Sequence, residues 1–145
     1  MIIVDSMLGK LAKYLRMLGY DVEYITNDKD DSYIVEKSKT SKVITRDKEL
    51  HKRIPNSILV TDYNPKEQLK EVYRELPKPE HGFLELCTEC GLKTLEIQSR
   101  EDLPEYVNKN AEKIFYCTRC GKYYWKGSHI SNFVVMLESL GIEVQ

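Results

Sequence analysis

The sequence predicts an α/β fold: a three-layer arrangement of a parallel sheet between helices, followed by a small second unit. Three observations carry this. Short β-rich runs alternate four times with stretches of helical period over residues 1–76. Residues 77–82, Pro-Lys-Pro-Glu-His-Gly, then break the periodicity and read as a linker. All four cysteines come after that break, as Cys87/Cys90 and Cys117/Cys120, two Cys-x-x-Cys pairs each followed by glycine.

Residues 1–4 make a brief apolar strand, after which Leu8, Leu11, Ala12, Leu15 and Leu18 recur at helical spacing until Gly19 offers a stop. Residues 21–25 read as the second strand. Asp30 or Asp31 can cap a helix reaching about Ser38, and residues 42–45 give a third strand with Val43 and Ile44 inside it. A short helix follows Asp47. Residues 57–60 form the fourth strand, and Pro65 opens a helix to Leu76 with Leu69, Val72, Tyr73 and Leu76 on one face. Strands separated by helices cannot pair as hairpins, so right-handed crossovers lay them side by side in a parallel sheet with helices on both faces.

The 145 residues carry 22 Lys plus Arg against 23 Asp plus Glu, a formal charge of −1, and 41% are hydrophobic. That apolar fraction supports a packed core and excludes wholesale disorder. The near-neutral balance excludes a polybasic binder that relies on bulk attraction, so any nucleic-acid contact must come from local patches. No apolar run approaches the roughly 18 residues that span a bilayer. With Asp5 close to the start and no basic region before an apolar one, a cleaved signal peptide is not expected, and the protein reads as cytoplasmic.

In a secreted chain four cysteines could make two disulfides, and a single Cys-x-x-Cys opening a helix could be a redox motif. Two matched pairs amid Thr, Glu, Arg and Gly turns instead place four thiolates around one tetrahedral ion, so Cys87, Cys90, Cys117 and Cys120 are expected to hold a structural zinc. Residues 83–145 are then a zinc ribbon with a C-terminal helix. The metal supplies the core that so small a unit lacks. Ile130, Phe133, Val134, Leu137 and Leu140 form the apolar stripe of that helix, which is expected to pack on the rest of the chain.

Ligands of open parallel sheets bind at the carboxyl ends of the strands. The residues there are acidic but for one amide: Asp5 after strand one, Asn27 with Asp28, Asp30 and Asp31 after strand two, Asp47 after strand three and Asp62 after strand four. Each Asp could equally cap the helix it precedes. Gathered together, however, such carboxylates repel one another, and a divalent cation relieves the repulsion. Oxygen-only ligation favours Mg²⁺ or Mn²⁺, which can activate water and bind phosphate oxygens. Lys10, Lys13, Arg16 and Arg46 flank this edge and could hold phosphates, although a basic helical stripe can also be a solvated face.

Glycine-rich phosphate loops and a Gly-x-Gly-x-x-Gly fingerprint are missing, which argues against a nucleoside triphosphatase or a dinucleotide dehydrogenase. Around the second cysteine pair stand Arg119, Lys122, Tyr123, Tyr124, Trp125, Lys126 and His129, cations mixed with aromatic faces able to stack on unpaired bases. Tyr124 and Trp125 could instead cover the metal as a substitute core, and Ser128 could cap the last helix.

The run from Asp5 through Lys10, Lys13 and Arg16 to Gly19, then Asp30-Asp31, then Thr45-Arg46-Asp47, then the knuckles ending in Tyr123-Tyr124-Trp125-Lys126-Gly127-Ser128-His129, resembles the Mut-seven C-terminal RNase family. The resemblance covers nearly the whole chain and implies a PIN-like domain over residues 1–76, a linker over 77–82 and a zinc ribbon over 83–145. It also implies a metal-dependent ribonuclease in which Asp5, Asp30 or Asp31, and Asp47 match the acidic positions, Asp62 matches a fourth, and Lys10, Arg16 and Arg46 match flanking basic positions. RNA is the expected partner, whether ribosomal or transfer RNA or the ribosome itself. The rival expectation is a non-catalytic RNA- or ribosome-binding module of the same fold. A hydrolase of small phosphate esters ranks third.

Overall fold

A computed structural model describes residues 1–26, 29–98 and 100–144, with the side chain of Asn110 excepted. Asn27 and Asp28 therefore lie outside the described residues.

Four strands, β1 (Ile2–Val4), β2 (Val22–Tyr24), β3 (Lys42–Thr45) and β4 (Ile58–Leu59), pair in parallel in the order β2-β1-β3-β4. Side chains alternate across a strand, and here both faces are apolar. Ile2 and Val4 point to one side, where α1 (Gly9–Leu18) contributes Leu11 and Leu15 and α4 (Pro65–Tyr73) contributes Leu69 and Val72. Ile3 and Val43 point to the other, against Ile34 of α2 (Asp31–Lys37) and Leu50 of α3 (Lys48–Arg53). The three layers expected from the periodicity are present.

Caps set the helix boundaries. Gly19 ends α1 at φ 105°, and the Tyr20 N–H returns to the Leu15 carbonyl at 3.0 Å. Asp30, Asp47 and Asn64 accept backbone N–H groups at the starts of α2, α3 and α4. The helix expected to reach Leu76 ends at Tyr73, and the fourth strand is shorter than residues 57–60.

In the second unit β5 (Leu95–Ile97), β6 (Ile114–Tyr116) and β7 (Tyr123–Trp125) form an antiparallel sheet in that order. Between β5 and β6 lies α5 (Glu105–Asn110), which no apolar period announces; among the described residues Val107 is its one buried side chain. The last helix, α6 (Ser128–Ser139), has Gly127 at its N-cap, so Ser128 is its first helical residue and not the cap it could have been. Phe133 of α6 packs on Tyr14 of α1 with ring centroids 4.9 Å apart. Phe83, Leu84, Phe133, Leu137 and Ile142 join the same apolar cluster as Leu11, Leu15 and Val72, so the two units share a core. No helix among the described residues is long and apolar enough to cross a membrane.

Candidate functional site

The order β2-β1-β3-β4 sends the chain to one side of β1 and then back to the other. The helices leaving β1 and β3 cover opposite faces, and a crevice opens at the carboxyl ends of those two strands. Asp5, Asp31 and Asp47 line it, together with Ser6, Thr26 and Lys29, around about 210 Å³ of space. Three acids from three separate strand-to-helix turns thus meet in one cleft.

Asp5 is 8% exposed and rigidly held. Its Oδ1 accepts the Met7 N–H at 2.9 Å, and its Oδ2 accepts the Thr45 hydroxyl at 2.6 Å. The same Thr45 oxygen accepts the Asp47 N–H at 2.9 Å, so a wholly buried threonine ties the first acid to the backbone of the third. Asp47 caps α3 through Oδ1, at 2.9 Å from the Glu49 nitrogen and 3.2 Å from that of Leu50, which leaves Oδ2 outside the cap. Asp31 Oδ2 stands 3.7 Å from Arg53 Nη1.

Asp30 has a different role from its neighbour. It takes the Ser32 hydroxyl at 2.6 Å and the Tyr33 N–H at 3.1 Å, bonds that hold its carboxyl below the usual range, and it does not line the cleft. Asp62 is likewise engaged in a turn: Oδ1 accepts the Asn64 N–H at 2.8 Å ahead of α4, outside the cleft lining. Lys29 does not stand out in the sequence, and Thr45 enters only as the first residue of the Thr45-Arg46-Asp47 run, with no role of its own. Lys29 lies in an ordinary polar stretch, and Thr45 reads as a common β-branched strand residue.

The carboxylate oxygens of Asp5, Asp31 and Asp47 do not all lie within 4.8 Å of one another. Their hard oxygen donors are of the kind that Mg²⁺ and Mn²⁺ take. A tighter group, Asp21, Glu80 and His81, sits elsewhere; His81 Nε2 is 3.2 Å from Asp21 Oδ2, and the His81 N–H bonds the Gly19 carbonyl, a clip between His81 and the end of α1.

The basic residues separate into different roles. Arg16, expected at a phosphate, is 7% exposed and donates to the Val22 carbonyl at 2.8 Å, the Glu89 carbonyl at 3.0 Å and the Thr88 carbonyl at 3.2 Å. Its charge is turned inward, onto the first cysteine knuckle; helical period alone could not reveal a partner more than seventy residues away. Lys13 pairs with Glu89 at 3.1 Å, and Lys122 pairs with the same carboxylate at 3.4 Å. These contacts hold the Glu89 carboxyl below its ordinary range, with the Lys13 hydrogen bond the largest cause. Arg46 lies 3.9 Å over the Tyr63 ring and bonds the Asp62 carbonyl, outside the cleft lining. Lys10 lies 5.9 Å from the Tyr14 ring centre.

The four cysteines converge, all free of disulfides, with their sulfurs within 4.8 Å of one another. Zinc–sulfur bonds of about 2.3 Å in a tetrahedron require sulfurs about 3.8 Å apart. Cys90 and Cys117 are 3.7 Å apart. The two knuckles have the same build: the Cys87 and Cys117 carbonyls accept the Gly91 and Gly121 N–H groups at 2.9 and 2.8 Å, with those glycines at φ 78° and 69°. Burial raises the Cys87 thiol, but the Tyr124 hydroxyl at 3.0 Å and the backbone amides of Cys90 and Glu89 outweigh it and bring the thiol down to about 7. The donor set fits a structural zinc, and the buried Arg16 guanidinium offsets part of the charge of about −2 that four thiolates around Zn²⁺ carry.

Arg119, Lys126 and His129 are exposed on the ribbon. Trp125 is half-buried beside Tyr123 and Tyr106 in a groove that also takes in His129. Tyr124 borders that groove, but its hydroxyl is given to Cys87.

Fold and site define a class: a three-layer α/β domain with an acidic crevice at the switch point of its parallel sheet, joined to a four-cysteine cluster consistent with a zinc ribbon. The family model of the Mut7-C RNAse domain matches residues 1–137, across both units, and the chain belongs to that family. Among curated proteins and solved structures, nothing matches the chain.

Proposed function

We propose that this protein is a cytoplasmic, metal-dependent endoribonuclease that hydrolyses RNA phosphodiester bonds at the crevice of Asp5, Asp31 and Asp47, with the ribbon helping to seat the RNA. The observation that carries the reading is the meeting of these three acids, from three distant stretches of chain, at the one edge where a parallel sheet offers a binding crevice. A Mg²⁺ or Mn²⁺ bound there supplies an activated water and neutralises phosphate charge. Asp5, fixed by Thr45 and the Met7 N–H, Asp47, with Oδ2 outside its cap, and Asp31, in the same cleft, would hold that ion. Lys29, in the same cleft, would attract the phosphate.

Cleavage of single-stranded and structured RNA with Mg²⁺ or Mn²⁺ tests this. Asp5→Asn and Asp47→Asn should each lower the rate at least about 100-fold, since even outer partners of a metal site are worth about 10- to 100-fold. Thr45→Val should lower it less. Equal rates for wild type and both Asn variants would remove the assignment.

A second reading, an RNA- or ribosome-binding module without turnover, is favoured by one observation: the three carboxylates are not drawn to coordination distance of a common point. It requires salt-sensitive RNA binding that Lys122→Glu with Lys126→Glu abolishes and the Asp variants leave intact.

A further inference from the structure

We propose that the groove between β7 and the first turn of α6 is a stacking site for an unpaired nucleobase of single-stranded RNA. It rests on the RNA reading above only in its choice of ligand. Tyr106, Tyr123, Trp125 and His129 present aromatic surface to a space of about 350 Å³, and no carboxylate lines it among the described residues. That volume lies at the lower end of the range for small-ligand pockets, roughly 300–1,000 Å³. It suits one nucleotide better than a folded partner.

Side chains alternate across β7, so the three consecutive aromatic residues divide their work. Tyr124 turns its hydroxyl to Cys87 and serves the metal knuckle. Trp125 approaches the backbone at Gly127 so closely that a Cβ there would lie 2.9 Å from the indole nitrogen, so glycine is what permits the indole's position. Tyr123 donates its hydroxyl to Asp102 at 3.0 Å and packs its ring on Tyr116, with centroids 4.9 Å apart, so it forms a fixed wall of the groove. Tyr106 is 64% exposed, a large ring left facing solvent at the mouth.

Within the RNA reading, the lining of the groove selects its occupant: it is aromatic, and among the described residues no Lys, Arg, Asp or Glu borders it. Three cations of the ribbon are placed elsewhere, Lys113 and Lys126 beside Glu85, Glu96 and Glu112, and Lys122 in its pair with Glu89. Flat faces with polar edges and no fixed charge match a neutral nucleobase rather than its phosphate. Stacking reads the face that every base shares, so the site should tolerate any sequence but require the base to be unpaired.

Trp125 is the sole tryptophan of the chain and sits in the groove, so its emission reports occupancy directly. The zinc-loaded full chain, without added Mg²⁺ or Mn²⁺, is titrated with short oligouridylate, with an RNA duplex of the same length and with an abasic ribose-phosphate strand. Oligouridylate should quench Trp125 saturably, the duplex and the abasic strand should not, and Tyr106→Ala should weaken binding by about tenfold. The exposed position of Tyr106 makes that variant safe for folding. RNA binding with unchanged Trp125 emission and full affinity in Tyr106→Ala would overturn the inference while leaving the RNA reading intact. Equal quenching by the abasic strand would also overturn it, because phosphate alone would then occupy the groove. Failure of every RNA to bind would remove both.

Discussion

Replacing Arg16 by methionine tests whether the ribbon and the α/β layer stand or fall together. The guanidinium donates to three carbonyls that no shorter or neutral side chain reaches: Val22 in the sheet layer, and Thr88 and Glu89 inside the first cysteine knuckle. A buried acceptor stripped of its donor costs about 1–3 kcal/mol. The Val22 bond is buried, whereas water partly reaches the two knuckle carbonyls, so the lower end of the range applies to those. The sum is about 3–4 kcal/mol, a large share of the roughly 5–15 kcal/mol that holds a domain. At about 2–4 °C per kcal/mol for a chain near this size, thermal unfolding should fall by about 10 °C. The same change removes the cation facing the thiolates, so zinc should pass faster to a chromogenic chelator. Arg16→Lys keeps the charge without the fork and should recover only part of the loss. Unfolding within about 0.5 kcal/mol of wild type, the level of an inert surface change, with zinc release unaltered, would refute the clamp.

Chelation of zinc should collapse the ribbon, whose three strands have three residues each, and near-ultraviolet dichroism from its tyrosines and Trp125 should fall while the parallel sheet keeps its far-ultraviolet signal. Zinc affinity should drop steeply from about pH 8 to about pH 6, because binding requires thiolates and protons regain even the Cys87 thiol, the one brought down to about 7; affinity independent of pH would contradict thiolate ligation. Gly19→Ala should cost at least about 3 kcal/mol in urea unfolding, since φ is 105° and the added Cβ would lie 2.0 Å from the His81 carbonyl oxygen. Gly121→Ala, at φ 69° with open space around it, should cost only about 1 kcal/mol by the same measurement.

How much of this is legible along the chain depends on the range of the interaction. Apolar period and cap residues are local, so the four strands, the helices between them and the acidic edge follow from the sequence. Asp30 and Asp31 are adjacent in sequence, and only the direction of the first turn of α2 separates the cap from the acid in the cleft. Arg16 resembles one more surface cation beside Lys13, because its partners lie in a knuckle far along the chain. Thr45 gives no sign of bridging two acids; its one local clue is a hydroxyl at the end of a strand, two residues before an Asp. The ribbon strands lack an apolar face of their own, β5 being largely exposed, and α5 has few buried apolar residues. The family resemblance, by contrast, rests on contiguous motifs, and the match over residues 1–137 covers them.

The apolar cluster that takes in Leu84 on one side of the ribbon and Phe133 on the other gives the molecule an unusual connectivity. Residues 85–132 leave that cluster and return to it, fastened along the way by Arg16 at Thr88 and Glu89 and by Phe115, so the ribbon resembles a handle bolted at several points more than a bead on a string. Severing the chain within residues 77–82 would uncover the patch that Phe133 seals over Tyr14, leaving the amino-terminal piece with a sticky face. Swinging the ribbon as a free arm would mean first unseating that phenylalanine, so any reach toward a long ligand has to come from the ligand bending to the protein.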